Sequence, residues 1–179
     1  MFSTNNKFSK ILVSIAVIII STTAAAAAQK QYKLKGDAPE GSKIKTIDAI
    51  STIPFNKNYK ALSAEQKEIF KATYGGLASG EIPPFPKKGT QVIYRPIIKA
   101  HKEIARSGNL FLVAMVNEKG KVENVSVYES PAESMTQLAT NVLFNTAFDP
   151  ASCNGKPCKM EFPFEFKLRQ QEKQQQYNN

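Results

Sequence analysis

The clearest hydrophobic pattern in this chain lies near its C-terminal end. From Lys159 to Leu168 the residues alternate without a fault. Met160, Phe162, Phe164, Phe166 and Leu168 fall on one side, and Lys159, Glu161, Pro163, Glu165 and Lys167 on the other. A period of two over this length predicts a half-buried antiparallel strand. Pro163 has no N–H for a ladder, so the strand is expected at a sheet edge with that nitrogen facing outward. Upstream, Leu110–Val116 is apolar at every position, as in a strand covered on both faces or at the centre of a sheet. Asn117–Gly120 supplies a hairpin turn with a glycine for positive φ. The return strand, Lys121–Tyr128, sets Val122 out of phase with Val125 and Val127, which predicts a bulge near Glu123–Asn124.

Helical periods flank these strands. Ser63-Ala-Glu-Gln66 has the form of a capping box and opens a helix from Ala64 to about Tyr74, closed by Gly75-Gly76. Pro96 fits the first turn of a second helix that runs to about Arg106 and stops at Gly108. Its stripe of Ile97, His101, Ile104 and Ala105 follows the i, i+4, i+7, i+8 rule, so the single histidine is expected to be packed and hydrogen-bonded, not catalytic or metal-binding. Lys99, Lys102 and Arg106 take the opposite face, read as an ordinary solvated surface. Ser130-Pro-Ala-Glu133 opens a third helix as a capping box with proline at the first helical position, and Met135, Leu138, Ala139, Val142 and Leu143 form its buried stripe.

The rest of the chain is punctuation. Residues 29–60 show weak periodicity and read as a flexible lead-in with a short strand around Lys43–Ile50. Glu81-Ile-Pro-Pro-Phe-Pro-Lys-Lys-Gly89 carries three prolines in four positions, which forces an extended or polyproline run at the boundary of the core. Residues 61–95 are thus an N-terminal helix and connector, residues 96–168 the core unit, and 169–179 a polar Gln-rich tail with nothing to bury.

At the N-terminus, Lys7 and Lys10 precede the apolar run Ile11–Ile20, followed by small residues to Ala28. This is the layout of a secretory signal cut near Ala28–Gln29. An uncleaved anchor is the rival reading, since residues 11–28 carry no charge and a span needs about 17–25 residues; the weakly apolar alanine half favours cleavage. No cysteine stands close behind the apolar run, the first being Cys153, which excludes a lipoprotein anchor. Export bears on the two cysteines: Cys153-Asn-Gly-Lys-Pro-Cys158 brackets a turn signal, and two cysteines in an oxidising compartment allow one internal bridge. Closing so short a loop contributes about 2 kcal/mol, less any strain.

Composition then removes whole classes of function. One histidine and two cysteines among 179 residues cannot build a His/Cys zinc cage or an iron–sulfur cluster, and no cofactor is expected. Residues 1–28 hold two of the 24 basic side chains and none of the 15 acidic ones, so the remainder keeps a net charge of +7. For an exported chain that surplus points to solubility, or to anionic envelope surfaces or an acidic protein partner, not to nucleic acid.

From Pro96 onward the order is helix, strand, strand, helix, strand, which is an α+β unit: a small antiparallel sheet with helices on one face. Residues 109–168 resemble the C-terminal domain of TonB, the periplasmic energy transducer of Gram-negative bacteria. The matching features are the strand LFLVAMV, the hairpin NEKGKVENVSVYES, the helix PAESMTQLATNVLFNTA, the FDPA exit and the closing strand FPFEFKL. The resemblance implies a periplasmic, non-enzymatic module that binds an extended peptide by adding a strand to its sheet edge, here beside Met160, Phe162, Pro163, Phe164 and Phe166. An outer-membrane protein is the partner it implies. Pro163 removes one outward donor there, a hydrogen bond worth about 0.5–1.5 kcal/mol net. The edge is therefore expected to be blocked, or engaged on one side of Pro163. Exposed edges also invite homodimerisation by strand pairing.

The chain departs from a full transducer in two respects: residues 11–28 contain no histidine, and only Ile82–Lys88 is dense in proline, spanning about 25 Å at ~3.5 Å per residue. An anchored transducer variant linked to outer-membrane transport is the alternative function. An enzyme would need a pocket built on Glu103, His101 or Asp149. A structural role would have the basic face contact anionic lipid or polysaccharide.

Overall fold

The computed structural model describes residues 32–35 and 48–169. Residues 1–28, read from the sequence as a secretory signal, and nearly all of the tail lie outside the described residues. Strands β1 (Tyr32–Lys35) and β2 (Asp48–Ser51) pair antiparallel, so the strand expected around Lys43–Ile50 is found as Asp48–Ser51. A single 3₁₀ turn, Tyr59–Ala61, precedes α1 (Ala64–Lys71). The Ser63 capping box forms as expected: the Ser63 hydroxyl accepts from the Gln66 N–H at 3.2 Å, and Gln66 accepts from the Ser63 N–H at 3.1 Å. The helix ends at Lys71, three residues short of the expected Tyr74, where Thr73 donates its hydroxyl to the Phe70 carbonyl and breaks the ladder.

The proline-rich segment is a buried strap and not merely a spacer. Pro83, Pro84, Phe85 and Pro86 are all buried, and the segment runs antiparallel to residues 147–152. Strand β3 (Phe85–Pro86) pairs with β6 (Phe148–Asp149), Ile82 bridges Ser152, and the Lys87 N–H donates to the Ala147 carbonyl. Proline's missing donors do not prevent this, because the contacts at Ile82 and Lys87 fall outside the prolines.

Helix α2 spans Gln91–Ile104, so Pro96 sits inside it, not in its first turn. The lost rung is offset by Ile93 and Ile97, both fully buried on the core side, and the N-terminus is held from outside when the Gln91 N–H donates to the Phe55 carbonyl. Gly89, with φ +78°, makes that approach feasible, since a Cβ there would sit 2.3 Å from the Phe55 oxygen. The helix closes on Ala105 in the left-handed region (φ 48°) and not on Gly108, which instead begins β4.

Strands β4 (Gly108–Val116), β5 (Val122–Glu129) and β9 (Met160–Leu168) form the main sheet in the order β5-β4-β9, antiparallel throughout. Leu110, Leu112, Ala114 and Val116 are buried against the helices. The alternate residues Phe111, Val113 and Met115 are half-buried on the outer face, so β4 owes its continuous apolar run to being central. The expected bulge is present, because Met115 faces Asn124 while Val116 faces Val122, leaving Glu123 as the extra residue. A second one leaves Tyr128 between Val127 and Glu129.

Helix α3 (Glu133–Phe144) buries Met135, Ala139 and Leu143. Its N-cap is Ala132, with no side-chain cap. The Ser130 hydroxyl donates to the Ala132 carbonyl instead of capping the helix, and Pro131 packs on Gly108, which displaces it from the helix. Strands β7 (Ala151–Cys153) and β8 (Lys156–Cys158) make a tight hairpin turning on Asn154 and Gly155, both at positive φ, closed by the Cys153–Cys158 disulfide. The core joins both halves of the chain: Leu62, Phe70 and Phe85 share one cluster with Leu112, Met135, Phe148 and Phe164. The fold is α+β with helices on one face of a small antiparallel sheet.

Candidate functional site

The closing strand β9 is the element beside which the family resemblance implies that a peptide binds. It pairs residue for residue with β4, from Gly108↔Leu168 to Val116↔Met160, and among the described residues no strand lies on its other flank. The alternation holds: Phe162, Phe164 and Leu168 are buried, Met160 and Phe166 half-buried, and Glu161, Glu165 and Lys167 exposed. The phenylalanine rings are thus used by the core. Phe162 packs edge-on against Phe148 at 5.0 Å, and Phe164 lies 5.2 Å from Tyr94. What the strand presents at its rim is backbone.

The direction of that backbone follows from two contacts. The Tyr94 hydroxyl, on α2, donates to the Glu165 carbonyl at 3.4 Å, and the His101 Nε2 lies 3.4 Å from the Arg169 carbonyl. Both carbonyls belong to odd-numbered residues, and in a strand successive residues turn their N–H and C=O to opposite sides. The odd residues of β9 therefore face the open flank and the even ones bond to β4. Pro163 is odd, so its missing donor is on the open flank, in agreement with the sequence argument. The rim offers the N–H groups of Glu161, Glu165 and Lys167 with a gap at Pro163.

Side chains from the N-terminal half stand beside this rim. Tyr94 is held between Phe55, Phe164 and Phe166, with ring centroids 5.1–5.2 Å apart. Its burial, with the Glu165 carboxylate nearby, pushes the phenol up to about 12. Tyr74 lies within the influence of Glu161, and burial first, then that carboxylate, hold its hydroxyl strongly in the neutral form. The Tyr74 Oη is buried without a hydrogen-bond partner among the described residues. Neither tyrosine is part of the sequence argument. The signal that could have found this flank is aromatic density, with Phe55, Tyr59, Phe70, Tyr74 and Phe85 set in a stretch read as lead-in and connector.

The remaining candidates do not converge. His101 is buried as expected and has the one contact to Arg169, while its Nδ1 has no partner among the described residues. Glu103 is exposed and Asp149 half-buried, and no hydrogen bond or ion pair between described residues joins either to His101. No group of three His, Cys, Asp or Glu side chains among the described residues is placed to hold a metal. At the other end of β9, Lys159 and Glu123 form an exposed ion pair at 2.6 Å across the end of β4. Hydrogen bonds from Lys159 and then Asn117 hold the Glu123 carboxyl below its usual range.

No helix among the described residues is long and apolar enough to cross a membrane. No curated protein matches the chain. Residues 99–168, 70 of the 179, match the family model of the Gram-negative bacterial TonB protein C-terminal. That span runs from the middle of α2 to the last residue of β9, so this part of the chain is similar to the TonB C-terminal domain.

Proposed function

We propose that the chain is an exported, non-enzymatic protein-binding module of the bacterial cell envelope. In this reading it works in the periplasm and takes an extended peptide on the open flank of β9, its partner an outer-membrane protein. The observation that carries the reading is a nine-residue strand laddered on one side only. The family match over residues 99–168 supports it. Strand addition draws its affinity from main-chain hydrogen bonds, and the outward groups of Glu161, Glu165 and Lys167 are the ones available. Pro163 divides them, and Tyr94 occupies the Glu165 carbonyl, so an incoming peptide pairs on one side of Pro163 or displaces the Tyr94 hydroxyl.

The test is an NMR titration of the isotope-labelled protein with synthetic peptides carrying the N-terminal box of TonB-dependent transporters. Shifts concentrated at residues 159–168 and at Tyr94 support the reading. Saturating peptide with no shift in 159–168 removes it.

A further inference from the structure

A second surface lies on the opposite side of the molecule from the open sheet face. On α2, the exposed Arg95 and Lys99 and the half-buried Lys102 fall within an arc of about 60° at 100° per residue, opposite the buried Ile93 and Ile97 and bordered on one side by the buried Ile98. They cover about 10 Å along the axis at 1.5 Å per residue. Arg106 follows just past the helix end, and Lys87 and Lys88 just before its start; all three are exposed. Among the described residues no ion pair joins any of these six cations to a carboxylate, and Glu103 and Glu133 are the only acids on α2 and α3.

The neighbouring helix adds an apolar element. Helices α2 and α3 run antiparallel in one layer, because Gly108 meets Pro131 at one end and the Lys87 N–H bonds the Ala147 carbonyl at the other. Phe144, in the last turn of α3, therefore lies at the Lys88–Arg95 end of α2. It is 44% exposed and is the one large apolar side chain on any helix, among the described residues, left in solvent. It points away from the stripe Met135, Ala139 and Leu143 that meets the sheet. On the far side of the domain the outer sheet face carries Glu129, Glu161 and Glu165 against one cation, Lys167, with Glu129 and Glu165 flanking Phe111. The domain is thus basic with a protruding ring on its helical side and acidic on its sheet side.

The geometry points to the helical layer as a docking surface for an anionic phospholipid bilayer. Cations along a convex ridge suit a flat array of phosphates, and each Lys or Arg close to such a surface strengthens attraction several-fold. A ring entering the headgroup region supplies the apolar contribution that charge alone lacks. A polysaccharide or other chain-like polyanion calls for a groove or a stacking platform beside the cations, and the exposed aromatic rings among the described residues, Tyr128 and Phe144, offer one ring apiece on opposite sides. Docked in this way the domain keeps both rims of its sheet away from the lipid, and the acidic face is repelled from it.

The chain has no tryptophan, so Phe144→Trp in the full chain places a single reporter at the contact, independent of any insertion by residues 11–28. Vesicles of phosphatidylcholine with about one-third phosphatidylglycerol are added, with pure phosphatidylcholine as the neutral control. The expected result is a blue shift and loss of acrylamide quenching with the anionic vesicles only. Both effects should reverse in 1 M salt, where the screening length falls to about 3 Å. Adding Lys99→Glu and Lys102→Glu should raise the lipid needed for half the shift at least about tenfold, while Glu129→Gln should leave it unchanged. An emission spectrum indifferent to anionic vesicles at low salt overturns the proposal, even if the chain sediments with them. So does a shift that the double charge reversal does not weaken, or one produced by a soluble sulfated polysaccharide and not by the vesicles.

Discussion

The two rims of the main sheet are protected in different ways. At β5 the protection is geometric: the extra residues Glu123 and Tyr128 bend both ends of the strand, and what is left is short, with Val127 42% and Tyr128 64% exposed. At β9 the ladder to β4 is unbroken over nine residues, and the protection is chemical, through one missing donor at Pro163 and one carbonyl taken by Tyr94. Bulges spoil register along the whole edge, whereas a proline and a tyrosine hydroxyl each remove one bonding position. A rim guarded in the second way can still accept a strand, which is why β9 and not β5 is the binding edge in this account. The same asymmetry runs through the core: β9 places Phe162, Phe164 and Leu168 in it, and β5 has no fully buried residue.

The energetic side of this contrast is the largest effect to test. Phe164→Ala should cost about 3–5 kcal/mol, because the ring is buried in the core and packs against Tyr94. Val127→Ala on the other rim should stay within about 0.5 kcal/mol. Urea denaturation of both variants compares the rims directly, and similar losses would erase the distinction. Gly120→Ala should cost about 1–3 kcal/mol by the same assay. Its φ is +73°, and a Cβ would approach the Phe148 carbonyl oxygen to 2.1 Å, forcing the β4–β5 turn away from β6.

Pro163→Val restores the one missing donor on the open flank. It should tighten binding of a strand-adding peptide by about two- to tenfold and raise self-association at high concentration, both read by isothermal titration and light scattering. Unchanged affinity would mean that Pro163 does not face the flank. Tyr94 gives the smallest effect, a dependence on alkaline pH. Its folded phenol is raised to about 12 by burial, above the ordinary value near 10. The neutral ring therefore stabilises the fold fully below pH 10, and that contribution is lost as pH rises towards 12. The drop in urea midpoint between pH 9 and pH 11 should be smaller in Tyr94→Phe than in the parent chain.

Much local chemistry was legible in the sequence, the Ser130 capping box being an exception, and long-range pairing was not. The Ser63 capping box, the Asn154-Gly155 turn inside the disulfide, the bulge at Glu123 and the alternation of β9 each depend on neighbours within a few residues, and each is found as read. The start of α2 was misplaced because Pro96 is a good first-turn residue by local rule. What carries the helix back to Gln91 is the Phe55 carbonyl, 36 positions away in the chain. The strap shows the same limit. Three prolines read as irregular chain, and their burial depends on residues 147–152, which no local pattern connects to them. At the candidate site the strand, its edge position and the outward-facing Pro163 came from the sequence. Tyr94 and Tyr74 did not, since a tyrosine on a helix face carries no mark of the rim it will stand beside.

Amide hydrogen exchange along β9, resolved by NMR, tests the central claim most directly. If the strand is laddered to β4 alone, the amides of Phe162, Phe164, Phe166 and Leu168 will be protected, while those of Glu161, Glu165 and Lys167 exchange rapidly. Equal, high protection of both sets would mean that the outer flank is already paired, and would contradict the account.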